Sequence, residues 1–268
     1  MFSKTYTRLI ILLSFLALFS YQGKSQLLQD MTFNQTNGTW QEMTGGTYLT
    51  TGDDASGGFY APFNFKWDGR NYTANVDIFY ACTNGYMWFG SDRNFTYYYW
   101  QNYLNDLYPS ITPLRGDLYC RGQVSAGVIG SAPNRVLIVQ WTGLDYYYQY
   151  NANNNFQVRL YETSNKAEII YGPMNQGSYT FYRNLWCGFV GIEPNRSYIN
   201  IVPGETFTAY YSSKNPAPYY NNGTINNTNI GYFTSGKTLT LTSFPNLVGV
   251  YPTQGTIFAR GQIYTGSQ

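Results

Sequence analysis

From residue 26 onward the chain carries almost no helical periodicity, and short runs of β-branched and aromatic residues alternate with polar ones instead. Each run is cut by a turn signal built from Gly, Asn-Gly, Asp-Gly or Pro. Phe59 to Trp67 reads as a strand ending at the Asp68-Gly69 turn. Val76 to Cys82 places Val76, Ile78, Tyr80 and Cys82 on one face. Thr83-Asn84-Gly85 then returns the chain as Tyr86-Met87-Trp88-Phe89-Gly90, a hairpin signal. Val136 to Trp141 and the alternating Phe156, Val158 and Leu160 follow. The turn Thr163-Ser164-Asn165-Lys166 leads into Glu168-Ile169-Ile170-Tyr171. Further strands are expected at 187–192, 206–211, 238–242 and 256–264. Ten or more short strands with polar connections predict an all-β, antiparallel β-sandwich of jelly-roll type.

The first 25 residues read as a secretory signal. Lys4 and Arg8 precede an apolar run from Leu9 to Phe19, which is shorter than the ~20 residues of a membrane span. Gly23-Lys24-Ser25 offers a cleavage site, and no later stretch is long and apolar enough to span. The expected divisions are a signal at 1–25, an N-terminal segment at 26–58 and a sandwich domain at 59–268. The N-terminal segment is expected to be the loosest part, with Leu27 to Trp40 a candidate strand for a neighbouring sheet edge. An exported chain, extracellular, at the cell surface or periplasmic, follows from the signal. Loss of Lys4, Arg8 and Lys24 turns the net charge from +2 to −1, with 13 basic against 14 acidic side chains. No basic patch remains to neutralise a phosphate backbone, so nucleic acid is not an expected partner.

Absence of histidine from the sequence removes the commonest general base and metal ligand, and with it any Ser-His-Asp or Cys-His arrangement. Cys82, Cys120 and Cys187 admit one disulfide and one spare thiol in an oxidising compartment; Cys82–Cys120 is the favoured pairing. Glu162 and Glu168 are the one carboxylate pair that suggests a glycoside hydrolase. A hairpin register with Tyr161 opposite Glu168 sends them to opposite faces, where they cannot flank one glycosidic bond. No cofactor is expected, with a calcium loop at Asp53 and Asp54 as the exception to test. Seven Asn-x-Ser/Thr sequons begin at Asn34, Asn37, Asn71, Asn94, Asn195, Asn222 and Asn226.

The order of these segments resembles a known family. Phe63-Asn64-Phe65, Tyr72, Val76, Thr83-Asn84-Gly85-Tyr86 and Phe89-Gly90 look like the opening of secreted β-sandwich domains from Bacteroidota surface proteins. Nidogen-type extracellular domains share the strand, Thr-Asn-Gly, aromatic-strand signature. The likeness continues through Ala132-Pro133-Asn134-Arg135-Val136, Gln140-Trp141, Asn155 to Glu162, Glu168 to Gly172, Gly188 to Ile192 and Gly255 to Phe258. It implies an extracellular β-sandwich without assigned catalytic residues. Relatives of that kind often end in a type IX sorting domain, which is not expected after the last strand here.

Chemistry is thereby left to aromatic side chains. The chain holds 29 Tyr, and aromatics make up 19% of it against 11% charged residues. Three clusters stand out: Tyr97, Tyr98, Tyr99, Trp100 and Tyr103; Tyr146, Tyr147, Tyr148 and Tyr150 with Asn153; and Tyr219 and Tyr220. Adjacent residues of a strand point to opposite faces, so three consecutive tyrosines cannot all enter a core. A ring with an apolar face and a polar tip suits stacking on sugars or protein, with Asn amides bonding hydroxyls. The expected function is non-catalytic recognition or adhesion, with glycan or a surface protein as partner. Its alternative is a self-assembling subunit of an extracellular fibre, which low charge and β edges favour.

Overall fold

The computed structural model describes residues 27–28, 31–90, 109–147, 149–175, 185–192, 198–212, 224–225, 230–243, 256–259 and 262–265. The first strands are β1 (Met31–Asn37), β2 (Thr47–Asp53), β3 (Ser56–Tyr60), β4 (Phe65–Trp67), β5 (Arg70–Tyr72) and β6 (Ile78–Cys82). Then come β7 (Tyr86–Phe89), β8 (Ser110–Arg115), β9 (Leu118–Ile129), β10 (Val136–Tyr146), β11 (Gln149–Tyr161) and β12 (Ala167–Asn175). The chain continues with β13 (Leu185–Val190), β14 (Tyr198–Val202), β15 (Thr208–Ser212) and β16 (Thr224–Ile225). A 3-10 turn at Ile230–Tyr232 precedes β17 (Lys237–Ser243), β18 (Thr256–Ala259) and β19 (Gln262–Thr265).

These strands build the expected antiparallel sandwich. A nine-stranded sheet runs β19-β18-β1-β17-β12-β11-β10-β9-β2. The second sheet runs β15-β14-β13-β8-β7-β6-β3, with β16 added to β13. A separate β4–β5 ribbon turns at Asp68 and Gly69, whose φ values of 43° and 84° are those of a two-residue hairpin loop. Among the described residues no helix is long and apolar enough to cross a membrane.

Alternation fills the space between the sheets. Leu137, Val139, Trp141, Phe156, Val158, Leu160, Ile169 and Tyr171 of the first sheet meet Phe79, Ala81, Phe89, Ile111 and Phe189 of the second. Two rings carry their polar tips across the gap. The Trp141 indole N–H donates to the Cys82 carbonyl at 2.7 Å, and the Tyr171 hydroxyl to the Pro113 carbonyl at 2.8 Å. The ribbon inserts beside them: Trp67 lies tilted between Phe89 and Phe189 and donates to the Val190 carbonyl at 2.9 Å. Asp68, buried at the ribbon tip, accepts the Leu28 and Ile192 amides at 2.8 and 2.7 Å.

The β6 alternation divides between two buried layers. Phe79 and Ala81 enter the inter-sheet core, whereas Tyr80 and Cys82 lie on the outer face with Tyr86, Trp88, Trp186, Val190 and Tyr198. That face is a second buried layer, and the Trp88 indole nitrogen, Ser110 Oγ and Thr112 Oγ1 lie in it without a hydrogen-bond partner.

The N-terminal segment is divided among three sheet positions and a strap. Strand β1 pairs with β17 on one side and β18 on the other, β2 pairs with β9, and β3 with β6. Residues 38–46 cross the outside of the first sheet between β1 and β2. Trp40 packs against Gly172 of β12, where a Cβ would lie 2.6 Å from the indole. The Gln41 carbonyl accepts Gln157 Nε2 at 2.9 Å, and the Met43 amide donates to Gln140 Oε1 at 2.7 Å. Gln140 and Gln157 are cross-strand partners on β10 and β11, bonded to each other at 2.6 Å, and Arg159 donates twice to Gln157 Oε1. This polar ladder, buried under the strap, adds to the apolar contacts of Trp40 and Met43.

Replacing Gln157 by Ala strands the Gln41 carbonyl and breaks the link to Gln140. The expected loss is about 1–3 kcal/mol in urea unfolding, with residues 38–46 becoming faster in amide exchange. Unchanged stability and exchange would show that the ladder does not hold the strap.

Candidate functional site

The turn Thr83-Asn84-Gly85 fixes where the surface side chains stand. Thr83 Oγ1 accepts the Ala55 amide at 3.0 Å, and the Thr83 amide donates to the Ala55 carbonyl at 2.9 Å. Asn84 donates from Nδ2 to Asp54 Oδ1 at 2.7 Å and accepts the Leu118 amide on Oδ1 at 2.9 Å. Gly85 has φ 79°, and a Cβ there would lie 2.0 Å from the Leu114 carbonyl oxygen. Only glycine meets both constraints. One turn thus stitches the β2–β3 link to the β8–β9 link.

Above that stitch, β2, β9 and β10 line up a row. Asp145 stands opposite Tyr119, and Tyr119 opposite Asp53. Directly opposed residues share a face, here the outer one, because the neighbouring Leu144 and Cys120 point into the core. Arg121, two residues past Tyr119, lies over that ring at 5.6 Å and ion-pairs with Asp145 Oδ2. Asp145 is fully buried, and its Oδ1 has no partner. Tyr147 joins from the β10–β11 turn: its amide donates to the Asp117 carbonyl at 2.9 Å, and its side chain hydrogen-bonds Asp53. Burial, then the neighbouring Asp54 charge, raises the Asp53 carboxyl above its usual value.

Two separately expected features therefore meet, the Asp53-Asp54 pair and part of the second tyrosine cluster. Tyr147 is half-buried at the rim, and Asn153 is exposed nearby on β11, its Oδ1 accepting Asn155 Nδ2 at 3.2 Å. Tyr150 also belongs to β11. Tyr146 is corrected: it is 2% exposed and belongs to the main core. The register of β10 shifts between Trp141 and Leu144, so Leu144 and Tyr146 point inward while Asp145 points out. Tyr97, Tyr98, Tyr99, Trp100, Tyr103, Tyr148, Tyr219 and Tyr220 lie outside the described residues. Tyr119, Arg121 and Asp145 escaped the sequence reading. Their signal is Leu118-Tyr119-Cys120-Arg121, whose alternation puts the aromatic and the cation on one outer face.

Asp54 has φ 43° and one of its oxygens, Oδ1, accepts Asn84 Nδ2. Among the described residues no group of three or more Cys, Asp or Glu side chains is arranged to hold a metal.

The Cys82–Cys120 pairing is also corrected: all three cysteines are free and buried. Cys82 faces the outer layer of the second sheet and Cys120 the core between the sheets, each Sγ directed at a backbone carbonyl 3.6 Å away. Burial pushes the Cys82, Cys120 and Cys187 thiols up to about 12.

The Glu162–Glu168 hairpin is shifted by two residues from the expected register. Arg159 faces Glu168 and Leu160 faces Ala167. A shift of two preserves the faces, so the carboxylates still point apart. Glu162 receives the Arg135 guanidinium in two bonds of 2.9 and 2.7 Å. Glu168 receives Lys166 at 2.7 Å and the Tyr161 hydroxyl. Both close hairpin ends.

Three outcomes follow from these environments. The Arg135 guanidinium holds the Glu162 carboxyl below its usual value. Its contribution to stability is therefore present above the ordinary glutamate pKa and lost as pH falls through the lower folded value. Acid unfolding of E162Q should lack that component; identical acid limbs for the two proteins would contradict it. Asp53 has the opposite sign, so D53N should raise Tm at pH 7 and not below the ordinary aspartate pKa. An equal or lower Tm at pH 7 counts against it. Ellman's reagent should leave the native thiols unmodified until denaturant is added, and rapid native labelling would contradict their burial.

A family model described as NIDO related matches residues 30–242. No curated protein and no solved structure gives a match. The matched stretch opens at β1 and ends within β17, the two strands that pair with each other in register from Met31–Ser243 to Asn37–Lys237. The chain belongs to the NIDO-related family.

Proposed function

We propose that this chain is a non-catalytic extracellular recognition module, binding glycan or protein through the rim formed by Tyr119, Tyr147, Asp53, Arg121 and Asn153. The observation that carries the reading is the outer-face row Asp53, Tyr119 and Asp145, with Tyr147 bonded to Asp53. Its half-buried rings offer flat apolar faces, and the adjoining carboxylate, guanidinium and amides offer donors and acceptors at their edges. The charge on Asp53 is kept at a cost to stability, as contact groups commonly are. Family membership supports the extracellular location, together with the apolar run from Leu9 to Phe19. Glu162 and Glu168, the one candidate catalytic pair, are each neutralised by a cation of the fold, which favours binding over hydrolysis.

A glycan array and a surface-protein pull-down with the full chain test this reading. Y119A and Y147S should each weaken the captured ligand about tenfold, the scale of one stacking contact of ~1.4 kcal/mol. Capture unaffected by both substitutions would refute the rim as the contact surface.

A further inference from the structure

The two sheets end on the same side of the sandwich in strands of opposite character. Strand β2 closes the first sheet and β3 the second, and they lie against each other where Gly57 meets Leu49. The β2 edge is irregular, its pairing with β9 shifting register between Tyr48 and Thr50 and again between Thr50 and Gly52. Bulges of this kind are a common guard against strand addition. Strand β3 has no such guard. Ser56-Gly57-Gly58-Phe59-Tyr60 contains no charge and no proline, and pairs with β6 in unbroken register from Ser56–Cys82 to Tyr60–Ile78.

The hydrogen-bond phase of β3 is set by its flanks. The Thr83 amide donates to the Ala55 carbonyl, and the Ala61 amide to the Asp77 carbonyl, both at 2.9 Å. Odd-numbered residues therefore bond to β6, and the amides and carbonyls of Ser56, Gly58 and Tyr60 point away from the sheet. No described strand pairs with that side. Tyr60 is 59% exposed, an apolar ring at the end of the open edge.

We propose that this edge is the interface of a two-fold dimer, in which β3 pairs antiparallel with β3 of a second copy about Gly58. The sequence is self-complementary in that register: Gly58 meets Gly58, and Ser56 meets Tyr60 of the second copy. All three outward residues then fall in hydrogen-bonded pairs, giving about six main-chain bonds. Gly58 is exposed and has no side chain to hold the backbones apart. Charge favours the antiparallel sense. Asp54 stands just before the strand, whereas the Arg70 charge near its other end is already paired with Asp77. The two-fold keeps the Asp54 side chains of the two copies at opposite ends of the interface, whereas a parallel pairing sets them side by side. The second sheets of the two copies become one continuous sheet.

Sedimentation equilibrium of the full chain tests the proposal with two charge variants. S56K/Y60K places like charges opposite each other across the two-fold, and S56E/Y60K places opposite charges there. The wild-type chain should dimerise with concentration, S56K/Y60K should raise the apparent Kd at least about tenfold, and S56E/Y60K should recover the dimer. Circular dichroism confirms that each variant is folded, and a misfolded pair is replaced by Y60E and Y60K mixed with wild type. In that arm either charge at 60 should weaken association about tenfold. A wild-type monomer at every soluble concentration overturns the proposal. So does a dimer indifferent to the charges or one that S56E/Y60K fails to restore.

Discussion

Large aromatic rings buried between two sheets impose a demand that aliphatic cores do not: an indole N–H or phenol O–H cut off from water is stabilised by an acceptor within the fold. Trp141 and Tyr171 meet it by reaching across the gap to carbonyls of Cys82 and Pro113 in the opposite sheet. Each such bond ties a side chain of one sheet to the backbone of the other, so it fixes their relative placement as apolar contact alone does not. Trp67 does the same for the β4–β5 ribbon through the Val190 carbonyl. The rim inherits this rigidity, because Cys82 leads directly into the Thr83-Asn84-Gly85 turn that positions Asp54 and Leu118.

Much of this was legible in the residues because strands announce themselves by period two and by their turns. The Asp68-Gly69 and Thr83-Asn84-Gly85 turns lie where the sequence puts them, and their neighbours pair as hairpins. What alternation cannot state is which of two faces is the core. Val76, Ile78, Tyr80 and Cys82 form an apolar row, yet Phe79 and Ala81 enter the main core, because the second sheet buries material on both sides. The strap was illegible for another reason. Its anchors, Gln140 and Gln157, are polar residues whose burial depends on a segment about a hundred positions away. Register slips have the same origin: Tyr146 turns inward only because β10 is irregular after Trp141.

Tyrosine consequently has two occupations in this domain. Tyr72, Tyr146 and Tyr171 are interior residues, and burial raises their phenol pKa values. Tyr48 and Tyr60 stand on the open side, with Tyr119 and Tyr147 half-buried at the rim. On the opposite side β15 lies beside β18 and β19, so that flank is covered by the chain itself. The β1–β17 pairing thus joins the two ends of the matched stretch, and among the described residues no strand pairs with the outer edge of β2 or β3.

Hydroxyl-radical footprinting of the native chain tests this division of the tyrosines most directly, because one experiment reads every ring. Tyr48 and Tyr60 should be oxidised fastest, Tyr119 and Tyr147 at intermediate rates, and Tyr72, Tyr146 and Tyr171 only after unfolding. Oxidation of Tyr146 or Tyr171 in the folded protein as fast as that of Tyr60 would contradict the account.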